Sequence, residues 1–100
     1  MDKIKYYTLE GTFLKDLPER GELEKAITAH LQYLDKGFHE GSILFSGPKI
    51  GIGGGIIIVK CTDIDRFCND DPLVKAGIQE YRVTEFELHK CQDFLTAWFK

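Results

Sequence analysis

The sequence predicts an α+β domain whose elements run in the order β-α-β-β-α-β. Two observations point there. A stripe of apolar residues at steps of three and four runs across 19–39, the mark of an amphipathic helix. Around it lie short β-branched and aromatic runs, most of them closed by glycine or proline, which read as strands. A chain of 100 residues makes one domain, able to bury roughly 60–70% of its unfolded surface.

The first run, KIKYYTLEG (3–11), is β-rich and is expected to end at Gly11. A loop containing Pro18 leads to the helix, with Leu23, Ala26, Ile27, Leu31, Leu34 and Phe38 along one face. Gly41 is a suitable stop, because glycine adopts the left-handed conformation that closes helices. SILFSGP (42–48) reads as the second strand, broken by Gly47-Pro48, and KIGIGGG (49–55) as a flexible connection. IIIVKC (56–61) is a near-continuous β-branched run and belongs in the middle of a sheet. Thr62 and Asp63 are good caps for a short second helix, which Pro72 should end or bend. IQEYRVTEFEL (78–88) alternates as a strand does. The tail, 89–100, is expected to form a last amphipathic turn or two, with Phe94, Leu95, Trp98 and Phe99 on one side.

That order is the ferredoxin-like split βαβ arrangement, with a four-stranded antiparallel sheet. Two helices cover one face of such a sheet. The other face must meet something, and a second copy packed sheet to sheet is the simplest answer. A homodimer is therefore expected.

Composition excludes several function classes. A formal charge of −3 with no basic run argues against nucleic-acid binding, which needs clustered Lys and Arg. The longest apolar run, Ile56–Val59, is too short for a membrane span. The opening MDKIKYYTLEG lacks the apolar core of a signal peptide. Cys61, Cys68 and Cys91 are odd in number and form no C-x-x-C pair, so reduced thiols in a cytoplasmic protein are expected. No metal or organic cofactor has a recognisable ligand set; His39 and His89 sit in exposed contexts.

His30 is the first candidate for chemistry. It shares the apolar face of the helix with Leu23, Ala26, Ile27, Leu34 and Gly37. An imidazole there is either a core-edge residue bonded to a backbone carbonyl or a cleft residue oriented by a carboxylate. Asp70 and Asp71, before Pro72, end a helix by ordinary turn chemistry, and an acid at that junction could also reach a cleft. The glycines of FSGPKIGIGGG do not form a phosphate loop, since Ile56 and Ile57 follow where lysine and a hydroxyl are required. Ser46 offers a hydroxyl at the base of this hairpin. Tyr6 and Tyr7 point to opposite faces of the first strand, so one could line a pocket while the other packs at a dimer face.

Three segments taken together resemble the YciI-like family: AHLQYLDKGFHEGSILFSGP (29–48), GGGIIIVKC (53–61) and NDDPLVKAGIQEYRVTEFEL (69–88). The landmarks are a helix-borne His30, then Gly47-Pro48, then Asp71-Pro72, over about residues 3–88. The resemblance implies the dimeric α/β-barrel form of the ferredoxin-like fold, similar to muconolactone isomerase. It also implies an active site pairing His30 with Asp71; Ser46, Gly47, Pro48, Tyr6 and Pro72 are the residues expected near the substrate. The implied activity is cofactor-independent acid/base chemistry, of isomerase or dehydrochlorinase type, on a small cyclic or carbonyl-bearing molecule. A non-catalytic small-molecule-binding or dimeric interaction module is the alternative. The glycine-rich hairpin and the extra dozen or so residues at the C-terminus depart from the family pattern.

Overall fold

A computed structural model describes residues 3–100. Strand β1 (Lys5–Phe13) and strand β3 (Gly55–Cys61) form the middle of a four-stranded sheet of order β2-β3-β1-β4, with β2 (Ile43–Pro48) and β4 (Gln79–Phe86) at its edges. Every neighbouring pair is antiparallel. The β-branched run therefore takes an inner position, as its composition requires. β1 runs on past Gly11, because Gly11, Thr12 and Phe13 remain paired with Tyr81, Glu80 and Gln79 of β4.

Helix α1 (Arg20–Glu40) is the long amphipathic segment. It ends where glycine allows: Gly41 has φ 82°, its N–H donates to the Phe38 carbonyl and that of Ser42 to Gly37, a Schellman closure. The second helical segment is two short helices, α2 (Ile64–Asn69) and α3 (Pro72–Lys75). Asp63 caps the first by accepting from the Arg66 N–H, and Asp71 caps the second by accepting from the Leu73 N–H. Pro72 takes the first helical position, where its missing N–H costs nothing. It therefore divides the segment in two, and the division places Asp71 at a cap.

The helices cover one face of the sheet. Tyr7, Leu9, Ile57 and Val59 point into that layer and meet Leu34 of α1. Leu9 and Val59 are wholly buried, a gain of about 1.5–3 kcal/mol for each such side chain. A register irregularity between Ile43 and Phe45 re-aims β2, so Ile43 and Ser46 both share the register positions of inward-facing β3 residues, Val59 and Ile57.

On the opposite face the chain's own tail covers one end of the sheet. Asp93–Leu95 make a single 3-10 turn, after which Trp98 and Phe99 pack against Tyr6, and Phe99 against Phe86. Tyr6 donates to the Phe99 carbonyl and the Trp98 indole to the Gly41 carbonyl. The expected one-sided stripe is incomplete: Phe94 points outward and is 81% exposed, since a tight turn does not keep the helical period. No described helix is long and apolar enough to cross a membrane.

Candidate functional site

α1 and α3 meet at their inner edges, and there His30 meets Asp71. Both carboxylate oxygens of Asp71 lie 2.9 Å from His30 Nδ1. Asp71 is fully buried, while the His30 side chain keeps 14% of its surface exposed. Two further donors hold the same carboxylate: the Leu73 N–H at 2.9 Å to Oδ1 and the Tyr81 hydroxyl at 2.5 Å to Oδ2. A buried charge needs such partners to be tolerated at all. A helix cap, a strand hydroxyl and an imidazole thus fix this carboxylate from three elements.

The consequence for His30 is tautomeric. A carboxylate against Nδ1 makes that nitrogen the donor, which leaves the Nε2 lone pair free. No described residue bonds Nε2, and His30 borders a cavity of about 310 Å³ between α1, the β2–β3 hairpin and the start of β4. Its wall is mostly apolar, from Phe13, Ile27, Leu34 and Leu73, with Ser46, Gln79 and Tyr81 as further polar side chains. That is the ordinary composition of a small-molecule site.

Of the residues expected near the substrate, Ser46, Gly47 and Pro48 line this cavity together with His30. Tyr6 lies on the opposite face of the sheet, bonded to Phe99. Its neighbour Tyr7 is packed into the core, so the β1 aromatic at the cavity is Phe13. Pro72 faces a separate groove with Pro18, Ala26 and Ala76, because opening α3 turns its ring away from the cap. Sequence reasoning missed Tyr81 and Gln79. Their spacing of two in IQEYRV was the available signal, since it places them on one face of β4.

Burial raises the Tyr81 hydroxyl far above its usual range, and the hydrogen bond and charge of Asp71 raise it further. Tyr33 is raised by burial and then by Asp70 and Asp71. The Cys68 thiol is pushed up to about 12 by burial, with Cys61, Asp65 and Asp71 adding to it. In each case the neutral form is favoured in the folded chain. The stability they confer is therefore complete below the unfolded-state value, about 8.5 for Cys and 10 for Tyr, and is lost above it. The urea midpoint should fall as pH rises above about 8.5. Each group steepens that decline above its own unfolded-state value, and Tyr81→Phe should make it shallower above about pH 10. A midpoint unchanged to pH 11 would contradict this placement of the phenols.

No curated protein matches the chain at a significant level. The family comparison does find a match: residues 8–87 fit the YCII-related domain. That segment holds all four strands, save the first residues of β1, the three helices and both members of the His30–Asp71 pair. By that match the chain belongs to the YCII-related domain family.

Proposed function

We propose that this protein is a small-molecule enzyme in which His30 acts as a general base on a cyclic or carbonyl-bearing substrate. The observation that carries this reading is the His30 Nδ1 contact to both oxygens of a fully buried Asp71, with His30 bordering the cavity. In the proposed reaction, Nε2 removes a proton from carbon next to a carbonyl. Returning it to another carbon gives isomerisation, and loss of a leaving group gives a lyase or dehydrochlorinase outcome. Asp71 holds the ring and steadies the imidazolium as it forms. Ser46, Gly47 and Pro48 form the wall against which the substrate is oriented.

The test is deuterium incorporation from D₂O into small cyclic ketones and lactones, compared between the parent and His30→Ala. General-base catalysis contributes about 10²–10⁴-fold, so exchange should fall by that factor with the fold retained. Exchange that survives the substitution would remove the catalytic reading and leave a binding module.

The sheet face opposite the helices supports a homodimer. Phe45 and Ile56 on that face are 52% and 37% exposed, and the tail covers only one end of it. A second copy placed sheet to sheet would bury both. Sedimentation equilibrium at micromolar concentration should read a dimer; a monomer would overturn this arrangement. The three free thiols support a reducing, cytoplasmic compartment.

A further inference from the structure

The hydrogen bonds at Asp71 continue beyond it. Its Oδ2 accepts from the Tyr81 hydroxyl at 2.5 Å, and that hydroxyl has a second partner in the Gln79 side chain. The amide pulls the hydroxyl's pKa down, against burial and Asp71, which push it up. That is the sign of a donor at the phenol oxygen. Gln79 is 4% exposed, and its amide lies over Gly11 of β1, where an added Cβ would come within 2.8 Å of the amide carbon and oxygen. In the β1–β4 register Gly11 is also the residue opposite Tyr81. One glycine thus stands opposite Tyr81 and beneath the Gln79 amide.

The chain of bonds has a direction. A hydroxyl carries one proton and can point it only one way. With an amide N–H at its oxygen, Tyr81 turns that proton to Asp71. The carboxylate then receives from Tyr81, from the Leu73 N–H and from His30 Nδ1. All three draw on the same negative charge. What Tyr81 takes is withheld from the imidazolium that forms on His30, because a carboxylate already shared with other donors stabilises a neighbouring cation less. Polarisation along the chain strengthens that withdrawal. Among the described residues the cavity wall holds no titratable side chain besides His30 and Tyr81. Tyr33 of α1 and Cys68 of α2, which also feel Asp71, are kept neutral by burial. Asp70 is half-exposed beside Arg66.

We propose that Gln79 and Tyr81 are positioning residues that moderate His30: the Gln79 amide fixes the Tyr81 hydroxyl on Asp71, and that bond limits how strongly the carboxylate holds a proton on the imidazole. This rests on the reading of His30 as the base and extends it to how readily that base returns the proton it has taken. A base that holds its proton too strongly is a poor donor in the return step, so the moderation serves isomerisation.

The experiment follows the imidazole ¹⁵N shifts of His30 in the full chain as pH is varied, a readout that needs no substrate. His39 and His89, both exposed, serve as references in the same spectra. Tyr81→Phe keeps the ring and should move the His30 midpoint upward by about 0.5–1 pH unit. Gln79→Met removes the amide from a side chain of similar length and should move it the same way by about 0.2–0.5 unit. Gly11→Ala, which displaces the amide, should act as Gln79→Met does. In the Tyr81→Phe background, Gln79→Met should move the midpoint by less than about 0.1 unit, since the amide acts only through the hydroxyl. Tyr33→Phe is the control, because it removes a phenol that feels Asp71 but is bonded to the Phe67 carbonyl. It should leave the midpoint within about 0.1 unit.

A pair with only a structural role would lower the urea midpoint of these variants and leave the titration of His30 where it was. That result in Tyr81→Phe, or a downward shift, overturns the proposal. So does a Gln79→Met shift of equal size with and without the hydroxyl, and so does a Tyr33→Phe shift as large as that of Tyr81→Phe. Should Tyr81→Phe fail to fold, an unmoved midpoint in Gln79→Met overturns it instead. Titrations as expected, with no deuterium exchange in the parent, overturn the general-base reading and leave the control of His30 by Tyr81 and Gln79 standing.

Discussion

Asp71→Ala is expected to lower stability by about 3–5 kcal/mol, the range seen when one partner of a buried polar pair is removed. Three donors lose their acceptor at once: His30 Nδ1, the Leu73 N–H and the Tyr81 hydroxyl. Each buried donor left unpaired costs about 1–3 kcal/mol, and α3 also loses its cap. Against a total stability of about 5–15 kcal/mol, this variant could sit near its unfolding midpoint. Asp71→Asn separates fold from chemistry. Its amide oxygen can still accept from Leu73, so the loss should shrink to about 1–2 kcal/mol. Its NH₂ group, turned toward His30, would make Nδ1 the acceptor and move the ring proton to Nε2. The free base would then be gone, and deuterium exchange should fall at least about 10²-fold despite a retained fold. Urea denaturation and the ¹⁵N shifts of the imidazole read the two effects separately. Parent-like exchange in a folded Asp71→Asn protein would mean that the carboxylate does not set the tautomer.

Gly54→Ala should be nearly as damaging, for a different reason. An added Cβ at Gly54 would come within 2.0 Å of the Gly11 carbonyl oxygen, and the residue has φ +73°. The left-handed backbone costs a non-glycine residue about 1–2 kcal/mol, and the overlap adds about 1–3 kcal/mol because backbone must yield. Gly51→Ala is the matched control. Its φ is +79° but nothing lies within 4 Å of the added carbon, so only the conformational cost remains. Urea midpoints of the two variants should differ clearly, with Gly54→Ala the lower. Equal losses would show that the hairpin does not approach β1 closely. The comparison bears on function because Gly54 and Gly55 form part of the cavity wall.

The fold was legible because its signals are local. The apolar stripe of α1 and the β-branched run of β3 each follow from side-chain periodicity within one element. Gly41 and Pro72 are punctuation with a steric cause, and both act where the chain was expected to turn. His30 could be singled out for the same reason, since its place on an apolar face is a matter of counting along one helix. Asp71 was visible as a turn acid and, through the Asp-Pro landmark, as a candidate partner.

What sequence alone determined, then, is the four strands and the long helix, their order, and which side chains share a face within each regular element. Only the tertiary structure decided which faces meet. His30 and Asp71 are 41 residues apart, and their contact depends on where α3 docks beside α1. Tyr81 reaches Asp71 because β4 pairs with β1 so that Tyr81 stands opposite Gly11. A shift of one residue in that register would turn Tyr81 and Gln79 to the other face. Tyr6 was lost to the cavity by the same logic: the inner face of β1 belongs to Tyr7, and the tail then packs over Tyr6. Periodicity is a property of one strand or helix, whereas register and docking are set by packing between elements distant in the chain.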